Sequence, residues 1–262
     1  MKKEFQQEKI LYLESLRGIA ALVVVIHHFN VSSILNNQFT QHGWLFVDFF
    51  FVLSGFVVAM NYQAKIKTSN QLINFQIRRF LRLYPLHLLM LFAFLGVELA
   101  KYIVQIEFDM VATNEAFSIN NLSSFLENVF LVQNLFNEKL TWNLPSWSIS
   151  SEFYVYLVFG FLTLAFHNKK PLLLVLFFFL SLGSFIFLVE NSMGTENGFF
   201  RCTYSFFLGA LIFNFYKRFT FRIPSYISYF LMLIAISLVT FSMGEDSVMT
   251  ALTPIAFALL IL

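Results

Sequence analysis

Eight apolar stretches divide the chain, near residues 11–31, 43–62, 81–104, 145–166, 171–189, 199–216, 225–243 and 249–262. Most approach the roughly 20 residues a helix needs to cross about 30 Å of hydrocarbon. The pattern predicts an all-α fold, a polytopic transmembrane helical bundle of about eight spans, forming a single transmembrane domain over residues 1–262. One connection is long. Residues 105–144 contain a stretch from Leu122 to Phe136 with apolar positions at Leu122, Phe125, Leu126, Val129, Phe130 and Val132. It reads either as a cap over the external mouth of the bundle or as an amphipathic helix lying in the membrane interface. The last run, ALTPIAFALLIL, is followed by no basic or aromatic anchor, so this span is short or is cut within a longer architecture.

Composition fits the pattern: 58% of residues are hydrophobic and 12% charged, against the quarter or so that is charged in ordinary globular domains. A net charge of +2 is too small to imply a nucleic-acid partner. Its distribution says more. With the N-terminus cytoplasmic, 14 of the 17 Lys and Arg fall on the cytoplasmic side and only Lys101, Lys139 and Arg201 on the other, as the positive-inside rule requires. The first apolar run ends in two histidines with no small-residue cleavage site after it, so it reads as a retained span. A single cysteine, Cys202, excludes an internal disulfide framework and a cysteine-rich zinc site. No metal is expected.

Polar residues inside the apolar runs are costly and mark candidate function. In the first span, LESLRGIAALVVVIHHF, Arg17 and His28 lie 11 residues apart. On a helix that is about 16 Å along the axis and within roughly 20° of one face. His27 falls off that face. In the second span Asp48 sits among aromatics, a carboxylate that must be paired or protonated there; Ser54-Gly55 further in suits close helix packing. QIRRFLRLYP opens the third, with Arg79 and Arg82 three apart at the expected cytoplasmic edge, spaced to clamp phosphate or to bind lipid headgroups. Pro85 then falls in the first turn of that span. NLPSWSISSEFYVY opens the fourth with Pro145, Trp147, Ser148, Ser150, Ser151 and Glu152. His28, Asp48 and Glu152 share the outer leaflet in depth, and a histidine with carboxylates in reach is what acid–base chemistry needs. Arg201 reads as an interface anchor or as a further pocket residue.

Four stretches together, LESLRGIAALVVVIHHF, FVDFFFVLSGF, RRFLRLYP and PSWSISSEFYVY, in this order and spacing, resemble the acyltransferase-3 family of integral membrane acyltransferases, which includes O-antigen O-acetylases. The resemblance implies a bundle of about ten spans, so this chain is expected to lack the last two. It implies acetyl-CoA or another acyl-CoA as donor. It also implies a carbohydrate or lipid-linked sugar of the cell envelope as acceptor, and a bacterial inner-membrane location. The family's arginine and histidine fall on Arg17 and His28, its arginine pair on Arg79 and Arg82, and its Ser-x-Glu on Ser150 and Glu152.

Combined, the residues and the resemblance predict an O-acetyltransferase. Arg17, Arg79 and Arg82 bind the donor, His28 is general base, and Asp48 or Glu152 orients its ring. Trp147 and Ser150 line the acceptor side. Two other classes stay open: an inactive truncated relic, and a proton-coupled transporter using the same three titratable groups.

Overall fold

The structure is a computed structural model that describes residues 2–29, 36–110, 113–135, 140–219, 224–242 and 244–261. Among these residues there are ten α-helices and no strand. They are α1 (Lys2–Phe29), α2 (Gln38–Gln41), α3 (Phe46–Tyr62), α4 (Ser69–Phe108), α5 (Leu122–Val129), α6 (Trp147–Ala165), α7 (Lys170–Glu190), α8 (Gly198–Arg218), α9 (Ser225–Thr240) and α10 (Val248–Ile261). Each of the eight apolar runs carries a helix among the described residues. Six helical segments are long and apolar enough to cross a membrane, and α9 and α10 are shorter apolar helices. The chain is an integral membrane protein built as a helical bundle.

Two elements differ from expectation. The third span begins not near residue 81 but at Ser69, where Thr68 closes a capping box with Gln71. That cap satisfies the first free N–H groups, so α4 runs 40 residues and Pro85 lies in its interior. The helix expected over Leu122 to Phe136 stops at Val129. It ends in a Schellman motif: Val132 N–H donates to the Glu127 carbonyl at 2.9 Å and Leu131 N–H to the Asn128 carbonyl at 3.2 Å. Leu131 takes the left-handed position at φ 59°, which usually belongs to glycine. Reading apolar spacing alone misses such a stop.

The helices sort into two compact units. The first comprises Met1–Lys65, Phe166–Gly194 and Phe200–Leu262. Its core gathers Leu13, Ala20, Phe49, Val52, Phe56 and Phe257 around α3. Here α3 and α8 meet backbone to backbone. A Cβ on Gly55 would lie 1.9 Å from the Phe206 carbonyl oxygen, and one on Gly209 would lie 1.9 Å from that of Val52. The Ser54-Gly55 step is thus a packing site of the small-residue kind.

The second unit comprises Ile66–Ala165 and Thr195–Phe199. Its spine is the pair α4 and α6, which run antiparallel: Phe75 packs on Phe159 and Phe80 on Phe153, both at 6.0 Å between ring centroids. An apolar groove of about 740 Å³ follows this pair, lined by Leu72, Ile77, Phe80, Leu157 and Phe161 among others, with Gln76 its one amide.

Candidate active site

In the first unit the C-terminal end of α1 presents two imidazoles. The His28 Nδ1 lies 2.8 Å from the Val24 carbonyl of its own helix. A carbonyl only accepts, so Nδ1 is the donor in this contact and Nε2 is the ring nitrogen left without a bond to the helix. The His28 side is exposed. His27 Nδ1 likewise donates to the Thr40 carbonyl, at 3.2 Å. Its ring meets that of His28 edge to face at 5.1 Å. The Thr40 carbonyl is held in place because Asn37 caps α2, accepting from Thr40 N–H at 3.1 Å while Thr40 Oγ1 accepts from Asn37 N–H at 3.0 Å. Gly43 packs beneath His27: a Cβ there would lie 2.9 Å from the His27 Cβ. Helix α1 is unbroken from Lys2 to Phe29, so Arg17, half-buried, keeps its 11-residue register with His28.

Asp48 is fully buried and does not meet His28. Arg201 Nη2 donates to its Oδ2 at 2.6 Å and Nε to Oδ1 at 3.4 Å, with Ser205 Oγ donating to Oδ1 at 3.4 Å. The Arg201 guanidinium also covers the Trp44 indole at 4.9 Å. A two-pronged arginine with a hydroxyl in support is the arrangement that makes a buried carboxylate tolerable. Arg201 is therefore not an interface anchor; only 1% of it is exposed. Sequence reasoning missed the pairing, although a signal existed: of the three cations on the far side, only Arg201 opens an apolar run.

The second unit holds the other candidates. Arg79 is buried. It lies against the rings of Phe75 and Tyr156, at 5.8 and 5.6 Å, opposite the middle of α6. The antiparallel register sets that depth. Arg82, one turn on, is exposed. Glu152 accepts a 2.5 Å hydrogen bond from Tyr156 Oη, so Arg79, Tyr156 and Glu152 form one row. Trp147 is buried, with its ring edge 2.6 Å from where a Gly198 Cβ would stand. Ser150 Oγ donates to the Leu131 carbonyl at 2.5 Å, pinning the left-handed residue that ends α5. Ser151 donates to Asn134 Oδ1 at 2.7 Å.

The structure thus brings Arg17, His27 and His28 onto one helix, and Asp48 with Arg201, Ser205 and Trp44. It also joins Arg79 with Tyr156 and Glu152. Asp48 touches no imidazole; the acceptors that orient the His28 and His27 rings are the backbone carbonyls of Val24 and Thr40. Among the described residues no group of three or more His, Cys, Asp or Glu is placed to hold a metal ion.

Comparison with known proteins shows the family. Protein 2 in the picA locus of Rhizobium radiobacter is 38% identical over 85 residues, which cover 32% of this chain and 43% of that protein. The O-acetyltransferase OatA of Staphylococcus aureus strain NCTC 8325 is 28% identical over 177 residues, covering 65% of this chain and 28% of that protein. The chain therefore spans less than half the length of either relative. No solved structure matches it. The acyltransferase domain model of the acyltransferase-3 family matches residues 10–262, nearly the whole chain, and the protein belongs to that family.

Proposed function

We propose that the chain is a membrane O-acyltransferase that moves an acyl group, acetyl above all, from acyl-CoA to a hydroxyl of an envelope carbohydrate. The observation that carries the reading is the hydrogen bond that holds the His28 ring. With Nδ1–H tied to the Val24 carbonyl, Nε2 is the free nitrogen of an exposed side chain at the end of α1, and in the neutral imidazole that nitrogen is the acceptor a general base needs. The match to O-acetyltransferase OatA supports the acetyl group and the class of acceptor.

In the reaction the acceptor hydroxyl gives its proton to His28 Nε2 as its oxygen attacks the thioester carbonyl. A tetrahedral adduct forms and the C–S bond breaks. The departing thiolate takes the proton from the imidazolium, so the products are the acyl ester and free CoA, and the imidazole returns to its starting form. The Val24 carbonyl holds the ring through both transfers, the part a carboxylate plays in a hydrolase triad. Exposed Arg82 and half-buried Arg17 bind the CoA phosphates, for which guanidinium is suited. Arg79, packed on the rings of Phe75 and Tyr156, is a third donor-binding guanidinium. The positive-inside count supports a cytoplasmic N-terminus, with the donor arriving from that side.

The test is acyl transfer and acetyl-CoA hydrolysis by the reconstituted protein. His28→Ala should lower the rate by about 10²–10⁴ with His27→Ala much milder, and Arg82→Ala should raise KM for acetyl-CoA with kcat little changed. Near wild-type turnover by His28→Ala would overturn the assignment.

A further inference from the structure

The hydrogen bond that holds His28 stays inside its own helix. Nδ1–H reaches the Val24 carbonyl four residues back, which ties one edge of the ring to α1. The side chain is otherwise exposed. A general base has to lie within about 2.6–3.2 Å of the proton it takes, and a misplacement of about 1 Å can cost about 10²-fold in rate. A second support for the ring is therefore worth finding. It comes from His27, whose ring stands at 89° to that of His28 with the centroids 5.1 Å apart, the edge-to-face geometry that aromatic pairs favour.

His27 is held from outside α1. Its Nδ1–H donates to the carbonyl of Thr40, 13 residues on. That carbonyl belongs to α2, a four-residue helix closed by a reciprocal cap between Asn37 and Thr40. Gln41 N–H adds a bond to the Asn37 carbonyl at 2.9 Å. The turn is rooted in the protein: Thr40 is buried, and Leu45, at its end, is 0% exposed in the core that also holds Leu13 and Ala20 of α1. Gly43 lets the two segments close, since a Cβ there would lie 2.9 Å from the His27 Cβ and 3.0 Å from the Val23 carbonyl oxygen. A path of fixed contacts thus runs from the core through the Asn37–Leu45 turn to His27, and from His27 to the ring of His28.

We propose that His27 is a positioning residue for His28: it carries the fixed place of the Asn37–Leu45 turn to the neighbouring imidazole and so sets the direction in which His28 Nε2 meets the acceptor hydroxyl. The inference rests on the reading of His28 as the base. His27 itself exchanges no proton with substrate. Imidazole suits the task because one edge donates to a carbonyl while the ring packs on another ring. Phenylalanine supplies the ring without the donor, and alanine supplies neither.

The experiment measures acetyl transfer from acetyl-CoA by the reconstituted protein and its His28→Ala, His27→Ala, His27→Phe, Asn37→Ala and His27→Ala/Asn37→Ala variants. His27→Ala is expected to lower kcat about tenfold with KM for acetyl-CoA unchanged, short of the loss expected of His28→Ala. His27→Phe, which leaves the turn untouched, is expected to recover part of that loss. Asn37→Ala, which opens the cap of α2, is expected to lower kcat several-fold where His27 is present and within about twofold where it is absent, because the two residues act on one path. An Asn37→Ala effect that is missing, or that is the same with and without His27, overturns the proposal, as does a His27→Phe variant no better than His27→Ala. If His28→Ala keeps near wild-type turnover, the reading of His28 falls and this inference falls with it. If His28→Ala is inactive and the cycle shows no coupling, only the role of His27 is lost.

Discussion

Between α3 and α8 of the first unit lies a fully buried ion pair, Asp48 with Arg201, supported by Ser205 and the Trp44 indole. The Trp147 end of α6 in the second unit is held instead by neutral groups bonded largely to backbone carbonyls: Ser150 to Leu131, His87 to Asn128, Tyr84 to Val129, Gln133 to Ser146. The contrast follows from what each unit has to bury. Between α3 and α8 Asp48 and Arg201 are 0% and 1% exposed, so only an opposite charge can balance either one. At the Trp147 end of α6 an irregular segment must find partners for its carbonyls, and hydroxyl, amide and imidazole N–H groups supply them. One arrangement is all or nothing. The other divides its dependence among many weaker contacts.

The largest effect should come from breaking the pair on one side. Arg201→Leu leaves a buried carboxylate uncompensated and should cost about 3–5 kcal/mol, read as unfolding in mixed micelles. The double variant Arg201→Leu/Asp48→Leu should recover most of that, because the pair as a whole gains little over apolar packing. A double variant no better than the single would show that the pair is not the source of the loss. Next comes the close contact of α3 with α8. Gly209→Val forces α3 and α8 apart and should cost about 1–3 kcal/mol. The smallest effect tests the distributed unit: Ser150→Ala removes one hydrogen bond and should cost about 1 kcal/mol. A loss as large as that of Arg201→Leu would erase the distinction between the two units.

The spans were legible because hydrocarbon imposes a length and a composition on each of them, and each of the eight runs carries a helix among the described residues. Arg17, His27 and His28 were legible as a group because one helix carries them and helical spacing is local. The partner of Asp48 was not read, since it lies on a span far along the chain, and hydropathy does not say which spans touch. The depth of Arg79 escaped for a related reason. Local sequence shows that Arg79 and Arg82 are a turn apart, but only the register of α4 against α6 shows that Arg79 faces Tyr156 rather than the end of the bundle. The stop of α5 at Val129 depends on a leucine taking a conformation that glycine ordinarily takes, and no spacing rule anticipates that. His28 was singled out from its face of the helix; that backbone carbonyls rather than carboxylates hold the imidazoles needed coordinates.

The separation of Asp48 from Arg201 by 153 residues also sets a timetable for biogenesis. A ribosome adding about 5–20 residues per second takes about 8–30 s to make the intervening chain. During that interval the nascent second span holds a carboxylate whose guanidinium does not yet exist. The apolar contacts of α1 with α3 can form early, but the Gly55–Gly209 crossing and the ion pair cannot close until α8 has left the insertion machinery. Maturation of the first unit is therefore a late event. A chain that stalls before codon 201 keeps Asp48 without the guanidinium that pairs it.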